Sequence, residues 1–270
     1  MTARTARRGG PGAGRGRVSP LVVRALEREL LLYRRTWRGS AVSVFVQPVL
    51  YLLALGLGLG GLVGDVGAGD GTYLAFVAPG VLASMAMLGS AGDSLWGVMG
   101  ATKWLGVYRS MVNTAMVPGD LFAGRVLYVG VRTAIGAVVF VAMAAAVGGA
   151  TSPFAVLAVV PAVLMAMTSS AWLSAYSVRQ DDDSTFPLVL RLGVLPLFMF
   201  SGTFFPVQQL PGPVQPLVWL SPLWHAVEPA RDLMSGTVSG ATALHLGILL
   251  VLLAAAVPVG ARGFADRLTP

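Results

Sequence analysis

In the stretch PLWHAVEPARDL, His225 and Glu228 are of the types that move protons or bind metals, and they stand three apart. On a helix that spacing puts both side chains on one face, as an acid/base pair or a metal pair requires. The sequence holds only one other histidine, His245, and no cysteine. Zinc normally takes three or four ligands, so the metal reading is short of donors. A catalytic pair usually shows a third group that orients the base, and none is evident. The alternative is a local polar network of His225, Glu228, Arg231 and Asp232 that holds an irregular segment together.

Other chemistry is largely excluded. The lack of cysteine removes disulfides, thiolate metal sites and cysteine nucleophiles together. The only lysine, Lys103, lies in ATKWLG with no glycine-rich loop before it, so the chain has no P-loop with which to hydrolyse ATP by itself. LGLGLGGL, with Gly56, Gly58, Gly60 and Gly61, looks like a dinucleotide fingerprint but follows no strand and falls inside an apolar run; it reads as close helix packing.

The elements that must position these residues are membrane helices. Of 270 residues, 55% are hydrophobic and 11% charged, and the mean hydropathy is +0.74. One soluble core cannot hide that much apolar surface, and uncharged runs of about 18 residues or more indicate helices rather than barrel strands. The fold class is therefore all-α, with six spans expected at about 41–63, 73–95, 127–147, 154–176, 186–205 and 243–260. Residues 1–19 carry five arginines and no apolar core, so they read as a disordered basic tail rather than a signal peptide. Ten of the 19 basic residues precede residue 39. With a net charge of +7, their place beside the first span points to anionic lipid headgroups rather than nucleic acid.

Charge also sorts the connections. Arginine or lysine marks the N-terminal segment, the 103–125 region, the turn with Arg179, and the C-terminal end with Arg262 and Arg267. Residues 64–72 and 148–153 carry none, and the stretch after Phe205 carries only Arg231 before the sixth span. The positive-inside rule places both termini in the cytoplasm. In LVVRALERELLLYRRTWRGS, Val22, Leu26, Leu30, Tyr33 and Trp37 recur at helical steps while Arg24, Arg28, Arg35 and Arg38 take another face. Residues 20–38 thus read as an amphipathic interface helix before a six-span transmembrane domain at 39–270; the alternative is a simple extension of the first span. A short cytoplasmic helix is expected at about 102–116, ended by Pro118 and Gly119.

Arg125, Arg132 and Arg191 fall near the cytoplasmic ends of their spans, where snorkelling lowers their cost; Asp93 and Asp120 are candidate partners for the first two. Asp181, Asp182 and Asp183 read as a solvated cap at a helix start. Residues 206–242 hold six prolines, Pro206, Pro211, Pro213, Pro216, Pro222 and Pro229, and no piece is long enough to cross. Two short helices at about 213–220 and 222–234, dipping into the outer leaflet and leaving at Gly236, fit that pattern.

FSGTFFPVQQLP at 200–211, LSPLWHAVEPARDLMSG at 220–236 and YLAFVAPGVLA at 73–83 resemble the permease subunit of type-2 ABC exporters. The resemblance is to the branch that includes nodulation lipo-oligosaccharide and daunorubicin-resistance permeases, and it covers nearly the whole chain apart from the basic tail. It implies an export permease for an amphipathic substrate, a lipid-linked glycan or hydrophobic drug, working as a homodimer with a separate ATP-binding subunit. ATP and Mg²⁺ would be used by that partner, with no cofactor bound by this chain. The segment around Lys103, Trp104, Leu105, Tyr108 and Arg109 would then be the helix that couples to the partner. Gly202, Pro206, His225, Glu228 and Arg231 would belong to an external hairpin capping the exit. The rival reading is a polytopic membrane transferase using His225 and Glu228.

Overall fold

The computed structural model describes residues 20–54 and 73–269. The basic tail, the LGLGLGGL stretch and the end of the expected first span, from residue 55 on, lie outside the described residues. The apolar runs are helical, and among the described residues there is no strand. The helices are α1 (Pro20–Leu53), α2 (Tyr73–Met99), α3 (Val107–Val112), α4 (Pro118–Ala146) and α5 (Val159–Ser177). They are followed by α6 (Phe186–Val189), α7 (Leu195–Phe200), α8 (Gln215–Trp219), α9 (Trp224–Ser235) and α10 (Gly240–Leu268).

Among the described residues, four stretches are long and apolar enough to cross a membrane: Tyr73–Trp104, Pro118–Ala146, Pro153–Ser177 and Gly240–Leu268. They correspond to the second, third, fourth and sixth expected spans. The fifth differs. Helix continues from Phe186 only to Phe200, through a π-turn at Leu190–Val194. At about 1.5 Å per residue it reaches about 22 Å, short of the ~30 Å hydrocarbon layer. It stops where Gly202 adopts a left-handed φ of +75°, a conformation that a helix cannot continue through.

Two long-range contacts set the register of α1. A Cβ on Gly124 would lie 2.5 Å from that of Ala25, so the two helices touch where one side chain is missing. Further along, Tyr33 meets Tyr128 edge-on at 6.3 Å, and Arg132 lies over the Tyr33 ring at 5.8 Å. Residues 25–33 thus run beside 124–132 in the same direction. The boundary drawn at residue 39 is a change of composition and not of backbone, because Pro20–Leu53 is one continuous helix. The stripe of Leu26, Leu30 and Tyr33 packs on a cluster that includes Tyr128 and Val129 of α4, so it finds protein as its apolar partner.

The core has two ends. Ala25, Tyr108, Leu121, Phe122, Phe264 and Leu268 share one cluster, which brings the starts of α1 and α4, one face of α3 and the end of α10 together. Tyr73, Val77, Ala144, Ala155, Ala230 and Met234 share another, which gathers the start of α2, the end of α4 and α9 at the opposite end. Lys103, Arg109, Arg179 and Arg267 belong to segments of the first, basic end. The hairpin belongs to the second. Between them α2 and α5 pack through small residues, and the Ser94 hydroxyl donates to that of Ser170 at 2.8 Å. Such hydroxyl pairs replace the hydrogen bonds that hydrocarbon cannot offer.

Candidate functional site

At the basic end, α2 does not stop cleanly. It passes into a π-turn at Gly100–Trp104, the Leu105 amide donates back to the Gly100 carbonyl at 2.9 Å, and Gly106 reverses the chain at φ +62° before α3. The single helix expected at 102–116 is therefore an elbow made of a π-turn, a glycine pivot and six helical residues. Proline at 118, the first residue of α4, explains its far limit.

The elbow divides its side chains sharply. Trp104 is 61% exposed and Leu105 76%, an unusual pair of large apolar residues at a tip. Arg109 is exposed beside them. Tyr108 is turned the other way, buried against Phe264 of α10 at 5.9 Å between ring centres. Burial pushes its hydroxyl up to about 12, so it stays neutral. Tyr108 thus anchors the elbow from below and does not share its outer face. Lys103 is held by Asp181 at 2.9 Å.

Behind the elbow lies a buried ionic network. Arg125 pairs with Glu29 of α1 at 3.2 Å and donates to the Asp93 carbonyl at 2.5 Å. Arg132 pairs with the Asp93 carboxylate. Arg125 is buried rather than snorkelling, and Glu29, which sequence reasoning did not single out, is its partner. Arg191, by contrast, is exposed on the short α6–α7 helix.

The hairpin at the opposite end is built around Arg231. Its guanidinium donates to Glu228 at 2.7 Å and to the Gly202 carbonyl at 2.9 Å, and lies over the Phe76 ring at 4.2 Å. Three elements, α2, the 201–205 turn and α9, therefore meet on one side chain. The Thr203 hydroxyl bonds that of Ser84 at 3.0 Å, and Ser201 bonds Ser221 at 2.6 Å. Pro206 opens the short turn Val207–Gln209 that leads to α8. Gly236 closes α9 in a left-handed cap at φ +87°, as expected of the exit residue.

His225 and Glu228 are not brought together on a common substrate space. His225 Nε2 faces the Trp219 carbonyl at 3.0 Å, so that nitrogen carries the proton, and Nδ1 faces His245 Nδ1 at 2.7 Å. Burial lowers the His225 pKa, the neighbouring imidazole adds to this, and the Trp219 carbonyl partly opposes it. Both ring nitrogens are occupied, and Glu228 is spent on Arg231. Asp232 accepts from Thr242 at 2.5 Å, which ties α9 to the start of α10. The expected four-residue network is thus divided in three: Glu228 with Arg231, His225 with His245, and Asp232 with Thr242. None offers a free base beside a free acid. The aromatic frame of Trp224, edge-on to His245 at 4.7 Å, completes the packing.

Two glycines make the hairpin possible. A Cβ on Gly80 would lie 2.8 Å from the Thr203 backbone, so the turn rests directly on α2. Gly202 combines its left-handed φ with a Cβ position 3.1 Å from Val207. Gly80→Val and Gly202→Val should each lower the yield of folded protein in membranes, the second by at least the ~1–2 kcal/mol of a non-glycine left-handed residue. His225→Gln should be milder than either, because its amide reaches the position of Nε2 and can donate to the Trp219 carbonyl. Melting curves of the three variants in detergent test the order; a Gly80→Val protein as stable as the parent would deny the close approach.

The profile of the ABC-2 type transporter family matches residues 21–235, from the start of α1 to the end of α9. Among curated proteins, Nodulation protein J of Rhizobium leguminosarum bv. viciae is 28% identical over 228 residues, covering 83% of this chain and 86% of that protein. Nodulation protein J of Rhizobium meliloti (strain 1021) is 27% identical over 226 residues, 82% of this chain and 84% of its own. That of Bradyrhizobium diazoefficiens is 28% identical over 228 residues, 83% and 85%. The matched region takes in three of the four long apolar stretches, the elbow and the hairpin: the chain belongs to the ABC-2 type transporter family.

Proposed function

We propose that this chain is the permease subunit of an ATP-driven exporter, with the basic end in the cytoplasm and the hairpin on the outer side of a bacterial plasma membrane. The observation that carries the reading is the elbow. It offers Trp104 and Leu105 as an exposed apolar tip flanked by Lys103 and Arg109, and Tyr108 fixes that tip to the bundle from beneath. A tip of this kind suits a socket on a soluble protein, and aromatic residues with basic neighbours are favoured at the centre of such interfaces.

The partner that fits is the ATP-binding subunit, since ATP and Mg²⁺ have no P-loop to occupy in this sequence. Arginine-rich segments at the same end support a cytoplasmic placement by the positive-inside rule. The short α6–α7 helix carries Leu188, Leu192, Leu195 and Met199 outward. That stripe suits a second permease copy, so the working unit is a homodimer embedded in lipid. An amphipathic cargo, a lipid-linked glycan or hydrophobic drug, would pass between the copies and leave beneath the hairpin. Covalent chemistry is disfavoured at the hairpin because His225 and Glu228 are both engaged.

The test is ATP hydrolysis in proteoliposomes. The chain alone should hydrolyse none; together with its ATP-binding subunit it should support hydrolysis that disappears when the subunit's P-loop lysine is replaced. Hydrolysis by the purified chain alone would overturn the reading.

A further inference from the structure

The acidic triplet does three separate jobs. Asp182 accepts from the Ser184 amide at 3.0 Å and from its hydroxyl, which closes the turn on itself. Asp183 accepts from the Trp96 indole of α2 at 3.0 Å, and Tyr176 reaches Thr185 at 2.8 Å. The turn between α5 and α6 is therefore fixed on both sides. From that fixed turn Asp181 reaches outward, bonding Lys103 of the elbow at 2.9 Å and Arg267 near the end of α10. One carboxylate joins three segments that are 78 and 86 residues apart in sequence.

We infer that Asp181 is a positioning residue that holds the docking elbow in register with the α5–α6 turn and the end of α10; the functional meaning of the elbow rests on the reading above. Two cations on one carboxylate leave it ionised: Lys103 first, then Arg267, hold its acid below the usual carboxylate range. The clasp is exposed, with Asp181 82% accessible, so its strength must fall with salt. Its place also matters. The turn feeds α6–α7, whose far end becomes Gly202 and the hairpin. A displacement of the elbow is thereby shared with a short helix that leads toward the hairpin, a link that α2 and the Tyr108 anchor do not supply.

The experiment uses the full chain in lipid vesicles, where a sequence without cysteine allows single spin labels. A label at Leu105→Cys should show a slow-motion component that is lost in Asp181→Ala and restored in Asp181→Glu, which keeps the carboxylate. In the parent, about 1 M NaCl, where the Debye length is about 3 Å, should produce the same loss. A control label at Leu244→Cys, exposed near the start of α10, should not respond. An unchanged label at 105 in Asp181→Ala, or an equal response at 244, would overturn the positioning role. The docking reading stands or falls separately: intact assembly of Trp104 and Leu105 variants with the ATP-binding subunit would sink it and leave the spin-label result as it is.

Discussion

Trp104→Asp combined with Leu105→Asp should abolish assembly with the ATP-binding subunit while leaving the permease folded in the membrane. Both side chains are already in water in the isolated chain, so the folded state has little to lose. In the complex they would be the buried anchors. Central aromatic and aliphatic anchors contribute about 2 kcal/mol or more each, and two together weaken affinity about a thousandfold. Burying two carboxylates at the same place adds a desolvation cost that nothing nearby repays. Tyr108→Asp is the contrasting variant. Its ring lies between α3 and α10, so a charge there should lower stability before it affects docking. Co-purification from membranes, with melting of the permease alone as the control, separates the two outcomes. Full co-purification of the Trp104 and Leu105 variant would remove the elbow from the interface.

Glu29→Ala should be the most damaging change in the helix bundle. Glu29 supplies the carboxylate for Arg125, and the side chains are only 11% and 8% exposed. Removing one member of a buried pair leaves an uncompensated charge, at a cost of about 3–5 kcal/mol. The Asp93 carbonyl already takes one guanidinium nitrogen, Nε has no hydrogen-bond partner among the described residues, and the Asp93 carboxylate is held by Arg132. For a chain of this size the melting temperature should fall by roughly 10 °C. Replacing both partners, Glu29→Leu with Arg125→Met, should recover most of the loss, because apolar groups of similar volume need no partner. An unchanged melting temperature in Glu29→Ala would mean that water reaches the arginine. Failure of the double variant to recover would mean that the pair specifies how α1 sits on α4.

The features that could be read in the sequence are those set by runs of residues. Four long apolar stretches became four long helices, and Pro118 and Gly236 marked an element's start and another's end where proline and glycine chemistry requires. The pairing of Glu228 with Arg231, three apart on one helix, was legible for the same reason. What could not be read depends on contacts between distant residues. Arg125 shows in the sequence as a charge in need of a partner, but not that Glu29, 96 residues away, would supply it. The stripe on α1 looked suited to lipid because its protein partner, α4, is unseen in a local window. His225 and Glu228 resembled a pair by spacing, whereas the nearer chemical neighbour of His225 is His245, 20 residues on. At the elbow the apolar residues looked equivalent. Gly106 turns the chain between Leu105 and Tyr108, and so sends one outward and the other into the core.

Docking of the ATP-hydrolysing partner on the elbow at the basic end can be read directly in the membrane. A photo-reactive residue at position 105, in the full chain co-expressed with its ATP-binding subunit, tests it most directly, with a second probe at Gln209 on the opposite hairpin. Light should yield a covalent adduct with the ATP-binding subunit from position 105 and none from position 209. An adduct from 209, or none from 105 in a complex that still hydrolyses ATP, would contradict docking on the elbow.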